Sequence, residues 1–390
     1  MTAISRRALL ALSAAALPAL ALADSPAPAV LTAPIRLAGE RVLVAVTLDG
    51  RGPYDFIVDT GAVVSGILDS LGRDLKLKVL RKVGLASGAG AADFPLYAAA
   101  DVVIGGVFRQ PEMAMFGMDR VTGGGVGILA AGLVTTLDSD LDFTLGELRL
   151  YPRGRGVRPT DYERLGSGLP IAGGANGSAR MVVDAELDGV AGRFLLDTGA
   201  PGQVTLTPKG SARRGLWSNA RPFAPVARSG ITGLERGPAH LTRARSLRIG
   251  ATTLDAPLVL VHDPSAFDPG DGTDGIIGIH VLQRFDLSVD VAGKAVWVRP
   301  NGRRPEPWSS YNHSGLWFDV GRDGRARVTQ ISPGSPAAEA GVQLGDALPS
   351  GVRVGDISRT FGGPVGAQVP LDIERGGKRM TLTLTLRDYL

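Results

Sequence analysis

Residues 56–64 read FIVDTGAVV, and residues 194–202 read FLLDTGAPG. In each stretch an unbroken apolar triplet runs into Asp-Thr-Gly-Ala, and the two aspartates, Asp59 and Asp197, stand 138 positions apart. No polar residue alternates within Phe56-Ile57-Val58 or Phe194-Leu195-Leu196, so both faces of each strand are expected to be buried. A carboxylate at the end of such a strand is costly unless it is paired or put to use. The glycine directly after Asp-Thr permits a tight turn, which lets a second loop of the same kind approach closely.

The flanking sequence repeats in the same order. Leu48-Asp49-Gly50 leads to the first motif, and Leu187-Asp188-Gly189 leads to the second. Ile104-Gly105 is echoed by Ile249-Gly250, each with a proline shortly after it. GILAAGLVTTLDSDLDFTLGELRLYP (127–152) aligns without a gap on GIIGIHVLQRFDLSVDVAGKAVWVRP (275–300). A period of this length marks a duplicated lobe, not a solenoid. The segments between blocks, such as VLVAVTL (42–48), MVVDAEL (181–187) and FDLSVDV (285–291), are short, rich in Val, Leu and Phe, and bounded by Gly or Asp, which predicts strands. Helical pattern is scarce. The chain is therefore expected to be all-β, with each lobe mostly antiparallel and barrel-like.

At 390 residues the chain is long enough for two or three cores, and 44% hydrophobic with 21% charged residues is an ordinary globular balance. Gly 54 and Pro 26 imply many turns. The absence of cysteine excludes disulfides, thiol nucleophiles and thiolate metal sites. Residues 1–23 join a basic start to an apolar run that ends in Ala21-Leu22-Ala23, the pattern of a cleaved signal peptide. Ser5-Arg6-Arg7-Ala8-Leu9-Leu10 also fits a twin-arginine export signal. Export to the periplasm or the exterior is expected, with membrane association left open. No cysteine follows the apolar run, so a lipoprotein anchor is excluded. Removing residues 1–23 takes away Arg6 and Arg7 and no acid, lowering the formal charge from +4 to +2. Arginines are scattered, without the block that a nucleic-acid arm needs. The expected division is a linker over 24–35, lobes over 36–152 and 171–300, a connection over 153–170, a linker over 301–312 and a small domain over 313–390.

If the two lobes pack about a pseudo-twofold axis, Asp59 and Asp197 meet on it. Two carboxylates about 3 Å apart cannot both ionise, so they share a proton and titrate as a pair. Such a pair holds a base and an acid at one pH. It can activate a water between the carboxyl groups and protonate a carbonyl oxygen opposite. That chemistry suits peptide-bond hydrolysis without a covalent intermediate, and it calls for neither a metal nor an organic cofactor.

The two DTGA loops, with the distal apolar block Ile276-Ile277-Gly278, resemble the aspartic proteases. The alanine after Asp-Thr-Gly and the compact lobes resemble the retropepsin-like branch, and within it bacterial exported members with a C-terminal PDZ-like domain. The resemblance implies two tandem acid-protease-like β-barrel lobes about a pseudo-twofold axis, with Asp59 and Asp197 as the catalytic dyad. Thr60 and Thr198 would brace the loops against each other, Gly61 and Gly199 would line the cleft, and Ala62 and Ala200 would complete the turns. One departure is Ala130, where the second lobe has Gly278. Relatives of this branch dimerise to bring two aspartates together; here one chain carries both, so a monomer suffices. A polypeptide substrate follows. The alternative is a non-catalytic peptide- or protein-binding module that uses the same cleft, degenerate as a protease, together with the PDZ-like domain.

GLASGAGAADFP (84–95) and SGITGLERGP (229–238) are candidate flaps, or else ordinary hairpin loops. With alanine at positions 62 and 200, no side-chain hydroxyl there can stabilise the charged carboxylate, so the pair is expected to titrate high and act toward neutral pH. Asp138, Asp140 and Asp142 have the start of a calcium-loop pattern, but Phe143 and Arg149 occupy its glycine and glutamate positions. Gly270, Gly272 and Gly275 match a dinucleotide fingerprint only by letter, since no strand precedes them. In residues 313–390, Gly315-Leu316-Trp317-Phe318 resembles the peptide-terminus loop of PDZ domains, which implies a protein partner. SPGSPAAEAGVQLGD (332–346) resembles their first helix, with Ser335 as its cap. The usual second helix would fall within 357–369, where the sequence is short and glycine-rich, so terminal-peptide binding is doubtful against a packing role.

Overall fold

In each lobe the Leu-Asp-Gly block turns a hairpin. Asp49 and Gly50 have φ of 47° and 75°, and Asp188 and Gly189 have φ of 53° and 79°. Two successive positive-φ residues make the tight hairpin turn for which Asp-Gly is preferred. The turns join strands Arg41–Leu48 and Arg51–Val58 in the first lobe, and Val182–Leu187 and Val190–Asp197 in the second. This computed structural model describes residues 30–87, 90–169, 178–230, 233–266, 268, 272–306 and 311–390. The expected signal segment and most of the first linker lie outside the described residues.

The strand that carries each motif is flanked in the same way. Gly127–Leu129 runs parallel to Arg51–Val58, and Gly275–Gly278 runs parallel to Val190–Asp197. Each of these inserted strands also pairs antiparallel with the short strand after the Asp-Thr-Gly turn, Gly66–Leu68 or Val204–Leu206. The motif strands are thus enclosed. Phe56, Ile57 and Val58 are 0%, 3% and 1% exposed, and Phe194, Leu195 and Leu196 have the same values. A cluster of buried aliphatic side chains runs through both lobes.

The lobes share a sheet. Asp138–Asp142 pairs antiparallel with Phe285–Asp290, setting Ser139 against Val289, Asp140 against Ser288 and Leu141 against Leu287. Under the 148-residue offset of the repeat, Val289 is the counterpart of Leu141, and Leu287 of Ser139. The pairing is therefore reciprocal, as a twofold relation requires, and the pseudo-axis passes at Asp140 and Ser288.

The all-β expectation holds, with only short helices among the described residues. The barrel expectation does not: among the described residues the strand order of each lobe is an open path, ending at Lys78–Ser87 in the first lobe and at Ala224–Gly230 in the second. Each terminal strand pairs on one side only, with the other arm of its own hairpin, so no ring closes. These hairpins contain the two glycine-rich candidate flaps, whose tips lie outside the described residues. The expected linker 24–35 is also shorter than its composition suggests. Leu31–Ala38 is a strand that pairs with Glu147–Tyr151 and with Arg41–Leu48. Ala33 and Ile35 point inward and Thr32 and Pro34 outward, a period-two pattern hidden by the Pro/Ala content.

Residues 313–390 have their own apolar cluster, including Leu316, Phe318, Phe361, Ile373 and Leu384. Ser335 caps the short helix Pro336–Glu339 by accepting from the Ala338 N–H, and Gly341 follows with φ 75°. A second helix does form, over Val354–Thr360, earlier than expected and ahead of Gly362-Gly363. Val354 and Ile357 fasten it to the cluster. The unit is seated on the second lobe. The Phe223 N–H donates to Ser332 Oγ (2.8 Å), Arg243 Nε donates to the Leu390 carbonyl (3.1 Å), and the Tyr389 hydroxyl donates to the Phe223 carbonyl (2.9 Å). His240, stacked between Trp217 and Phe223, meets Gln330 Oε1 at 3.0 Å. Burial pushes the His240 imidazole down to about 4, so this contact is made by a neutral ring.

Candidate active site

The two Asp-Thr-Gly loops meet back to back. The Thr60 hydroxyl donates to the Leu196 carbonyl (2.7 Å) and accepts from the Thr198 N–H (3.0 Å). In return the Thr198 hydroxyl donates to the Val58 carbonyl and accepts from the Thr60 N–H (3.2 Å). Val58 and Leu196 are equivalent residues of the repeat, so this brace is also reciprocal. Both threonines are fully buried. Four backbone groups that the turns would otherwise leave orphaned in the interior are satisfied by two hydroxyls.

Each turn also aims its own aspartate. Asp59 Oδ1 accepts from the N–H groups of Gly61 (3.0 Å) and Ala62 (2.9 Å). Asp197 Oδ1 accepts from Gly199 (2.8 Å) and Ala200 (3.1 Å). One oxygen of each carboxyl is thereby fixed, and the second is left for the partner and for solvent. The glycines are needed for the approach. A Cβ on Gly61 would lie 2.3 Å from Asp197 Oδ2, and one on Gly199 would lie 2.2 Å from Asp59 Cγ. The distal strands hold the loops from behind through Ala131 N–H to the Ala62 carbonyl (2.9 Å) and Ile279 N–H to the Ala200 carbonyl (3.0 Å).

The departure at Ala130 is accommodated. Its N–H donates to Ser65 Oγ, whereas the Gly278 N–H donates to the Gln203 carbonyl. A Cβ on Gly278 would lie 2.6 Å from the Gly202 carbonyl oxygen, so glycine is required in the second lobe.

The two carboxyl groups are in hydrogen-bonding contact, and both titrate above the usual carboxylate range. Burial is the leading cause for each, and the negative charge of Asp59 adds to it for Asp197. The pair therefore shares one proton between the two carboxyls and titrates as a unit. The pair can therefore take a proton at one carboxyl and give one at the other.

One residue of this site is absent from the sequence reading. Arg41 begins the strand opposite the first motif, and the register sets Leu43 against Ile57. Continuing it by two residues places Arg41 opposite Asp59. Arg41 is 7% exposed and hydrogen-bonds to the Glu40 carbonyl (2.8 Å) and Thr122 Oγ1 (3.1 Å). Burial lowers its pKa, against the pull of Glu40, Asp59 and Asp197. The repeat itself held the signal: Arg41 stands eight residues before Asp49, and Arg180 stands eight before Asp188.

Gly315, Leu316, Trp317 and Phe318 lie at the start of strand Leu316–Val320, away from the paired aspartates in the C-terminal unit. Gly315 (φ 76°) packs on Ser335, and Leu316 and Phe318 point into the core. The Leu316 N–H is already taken by Ser314 Oγ (3.1 Å), which removes one donor from any terminal-carboxylate nest. Asp138, Asp140 and Asp142 are strand residues committed to protein partners, Asp140 to Arg155 and Tyr151. Among the described residues no cluster of His, Cys, Asp and Glu is arranged to hold a metal.

A family model described as aspartyl protease matches residues 183–281, which include Asp197 and the strand Gly275–Gly278 behind it. Among solved structures, the aspartic proteinase from Irpex lacteus is 14% identical, with 70% of this chain and 98% of that chain covered and a TM-score of 0.41. A retropepsin-like aspartic protease from Rickettsia conorii is 17% identical, with 35% of this chain and 89% of that chain covered and a TM-score of 0.26. No curated protein matches the chain.

Proposed function

We propose that the chain is an exported, retropepsin-like aspartic endopeptidase that acts as a monomer on polypeptides. The observation that carries this reading is the reciprocal threonine brace, which brings two aspartates from two lobes into hydrogen-bonding contact. The aspartyl-protease match over the second lobe supports it. Water held between the carboxyls gives a proton to the ionised member of the pair as its oxygen attacks the scissile carbonyl carbon, while the protonated member delivers its proton to the carbonyl oxygen. The tetrahedral diol collapses when the carboxyl that took the water's proton passes it to the amide nitrogen and the C–N bond breaks, and a diol hydroxyl returns its proton to the other carboxyl. Every transfer uses the two carboxyls and water, so the pair is restored after each turnover.

The hairpins ending at Lys78–Ser87 and Ala224–Gly230 close over bound chain in this account. The PDZ-like unit, seated on the base of the second hairpin, serves as a packing module and not as a receptor for peptide termini. The test is incubation of purified protein lacking residues 1–23 with a denatured polypeptide, followed by mass spectrometry of the products. New internal termini are expected. Tight binding of the polypeptide without cleavage would replace the enzyme by a peptide-holding protein.

A further inference from the structure

We propose that Arg41 forms an anion-binding subsite beside the paired aspartates, so that the cleft favours polypeptides with an acidic side chain next to the scissile bond. This rests on the peptidase reading and names its substrate class. A guanidinium offers five N–H donors and is usually buried only against a carboxylate. Arg41 is buried, yet its hydrogen-bond partners are one carbonyl and one hydroxyl, both neutral, and no protein carboxylate lies in ion-pair contact with it among the described residues. Its place is fixed from two sides. A Cβ on Gly123 would lie 2.5 Å from the Arg41 Cγ, so the Thr122-Gly123 turn grips the stem while Thr122 Oγ1 and the Glu40 carbonyl orient the head.

Directly opposed residues of an antiparallel pair have Cβ atoms about 5 Å apart. An extended substrate lying over Asp59 advances about 3.3 Å per residue. The side chains within reach of Arg41 are therefore those one or two residues from the scissile bond. Both carboxyls of the dyad feel the charge of Arg41, but among the described residues neither accepts a hydrogen bond from its guanidinium, so donors of the fork are left for a further carboxylate. A second, independent feature has the same sign. The hairpin strand Lys78–Ser87 presents Lys78, Arg81 and Lys82 to solvent, none of them in an ion pair among the described residues. Exposed cations on the same lobe as the cleft raise the local concentration of acidic chains.

The experiment compares two peptides that differ only by Glu or Gln beside the cleaved bond, with wild type and Arg41→Gln protein, measuring binding by fluorescence anisotropy and cleavage in parallel at pH 7. Wild type is expected to favour the Glu peptide by about tenfold or more, the scale of a charge-assisted hydrogen bond in a partly desolvated site. Arg41→Gln is expected to bring that ratio close to one, and Arg41→Lys to restore part of it. An equal Glu/Gln ratio in wild type and Arg41→Gln overturns the subsite while leaving the peptidase reading in place, even if the variant's pH profile moves. Glu-selective, Arg41-dependent binding without cleavage upholds the subsite and overturns the peptidase. Neither binding nor cleavage of either peptide overturns both.

Discussion

Thr60→Val is the substitution that isolates the brace. Valine has nearly the shape of threonine, so the packing of a fully buried residue is kept and only the hydroxyl is lost. That hydroxyl serves the Leu196 carbonyl and the Thr198 N–H, both in the interior between the lobes. Leaving a buried polar group without its partner costs about 1–3 kcal/mol, so two such groups predict a loss of about 2–6 kcal/mol. Thr60→Ser keeps the hydroxyl and removes one methyl, which costs about 1 kcal/mol. The more apolar substitution is thus expected to be the worse one, the reverse of what burial alone predicts. Urea unfolding followed by circular dichroism reads both variants against wild type. A Val variant within about 0.5 kcal/mol of wild type, or more stable than the Ser variant, would refute the reasoning, because it would mean that the Leu196 carbonyl and the Thr198 N–H do not depend on the Thr60 hydroxyl.

Gly199→Ala places a methyl 2.2 Å from Asp59 Cγ, so the carboxyls must separate; peptide cleavage is expected to fall by about a hundredfold or more, since misplacement by about 1 Å costs that much. Cleavage is also expected to persist toward neutral pH. Burial favours the protonated form of both carboxyls, so the pair keeps its shared proton above the ordinary carboxylate range near about 4; a profile confined below about pH 4 would contradict this. The same shift has a sign for stability. A carboxyl whose folded pKa is raised binds more protons in the native than in the unfolded state above about pH 4, so its contribution falls as pH rises through that window. Asp197→Asn removes this penalty, and its unfolding midpoint is expected to gain on wild type between pH 4 and pH 8; parallel midpoints across that range would show that the pair does not keep its shared proton.

The motif strands, the Asp-Gly turns and the lobe duplication were legible because each is written locally: an apolar triplet, two turn residues, a repeated block order. Lobe closure was not, because it depends on which distant edges pair. Among the described residues the hairpin strands Lys78–Ser87 and Ala224–Gly230 keep a free edge that no local pattern announces. Leu31–Ala38 was hidden by composition, its alternation interrupted to the eye by Pro34. Arg41 was hidden by register. Counting back from the Asp49-Gly50 turn misses it by one residue, because the pairing shifts between Val46 and Leu48. The helix Val354–Thr360 has Gly355 inside it and two glycines just beyond, so propensity argues against it, and the packing of Val354 and Ile357 on the C-terminal cluster decides in its favour.

The central claim is that one site is built from two aspartates, one from each lobe, and that neither suffices alone. Asp59→Asn and Asp197→Asn, made separately and assayed beside wild type on a denatured polypeptide, test it most directly. Asparagine keeps the shape of each loop but can neither take up nor release the shared proton. The account predicts cleavage by wild type and none by either variant, with both variants folded by circular dichroism. Cleavage by either variant at the wild-type rate would contradict it.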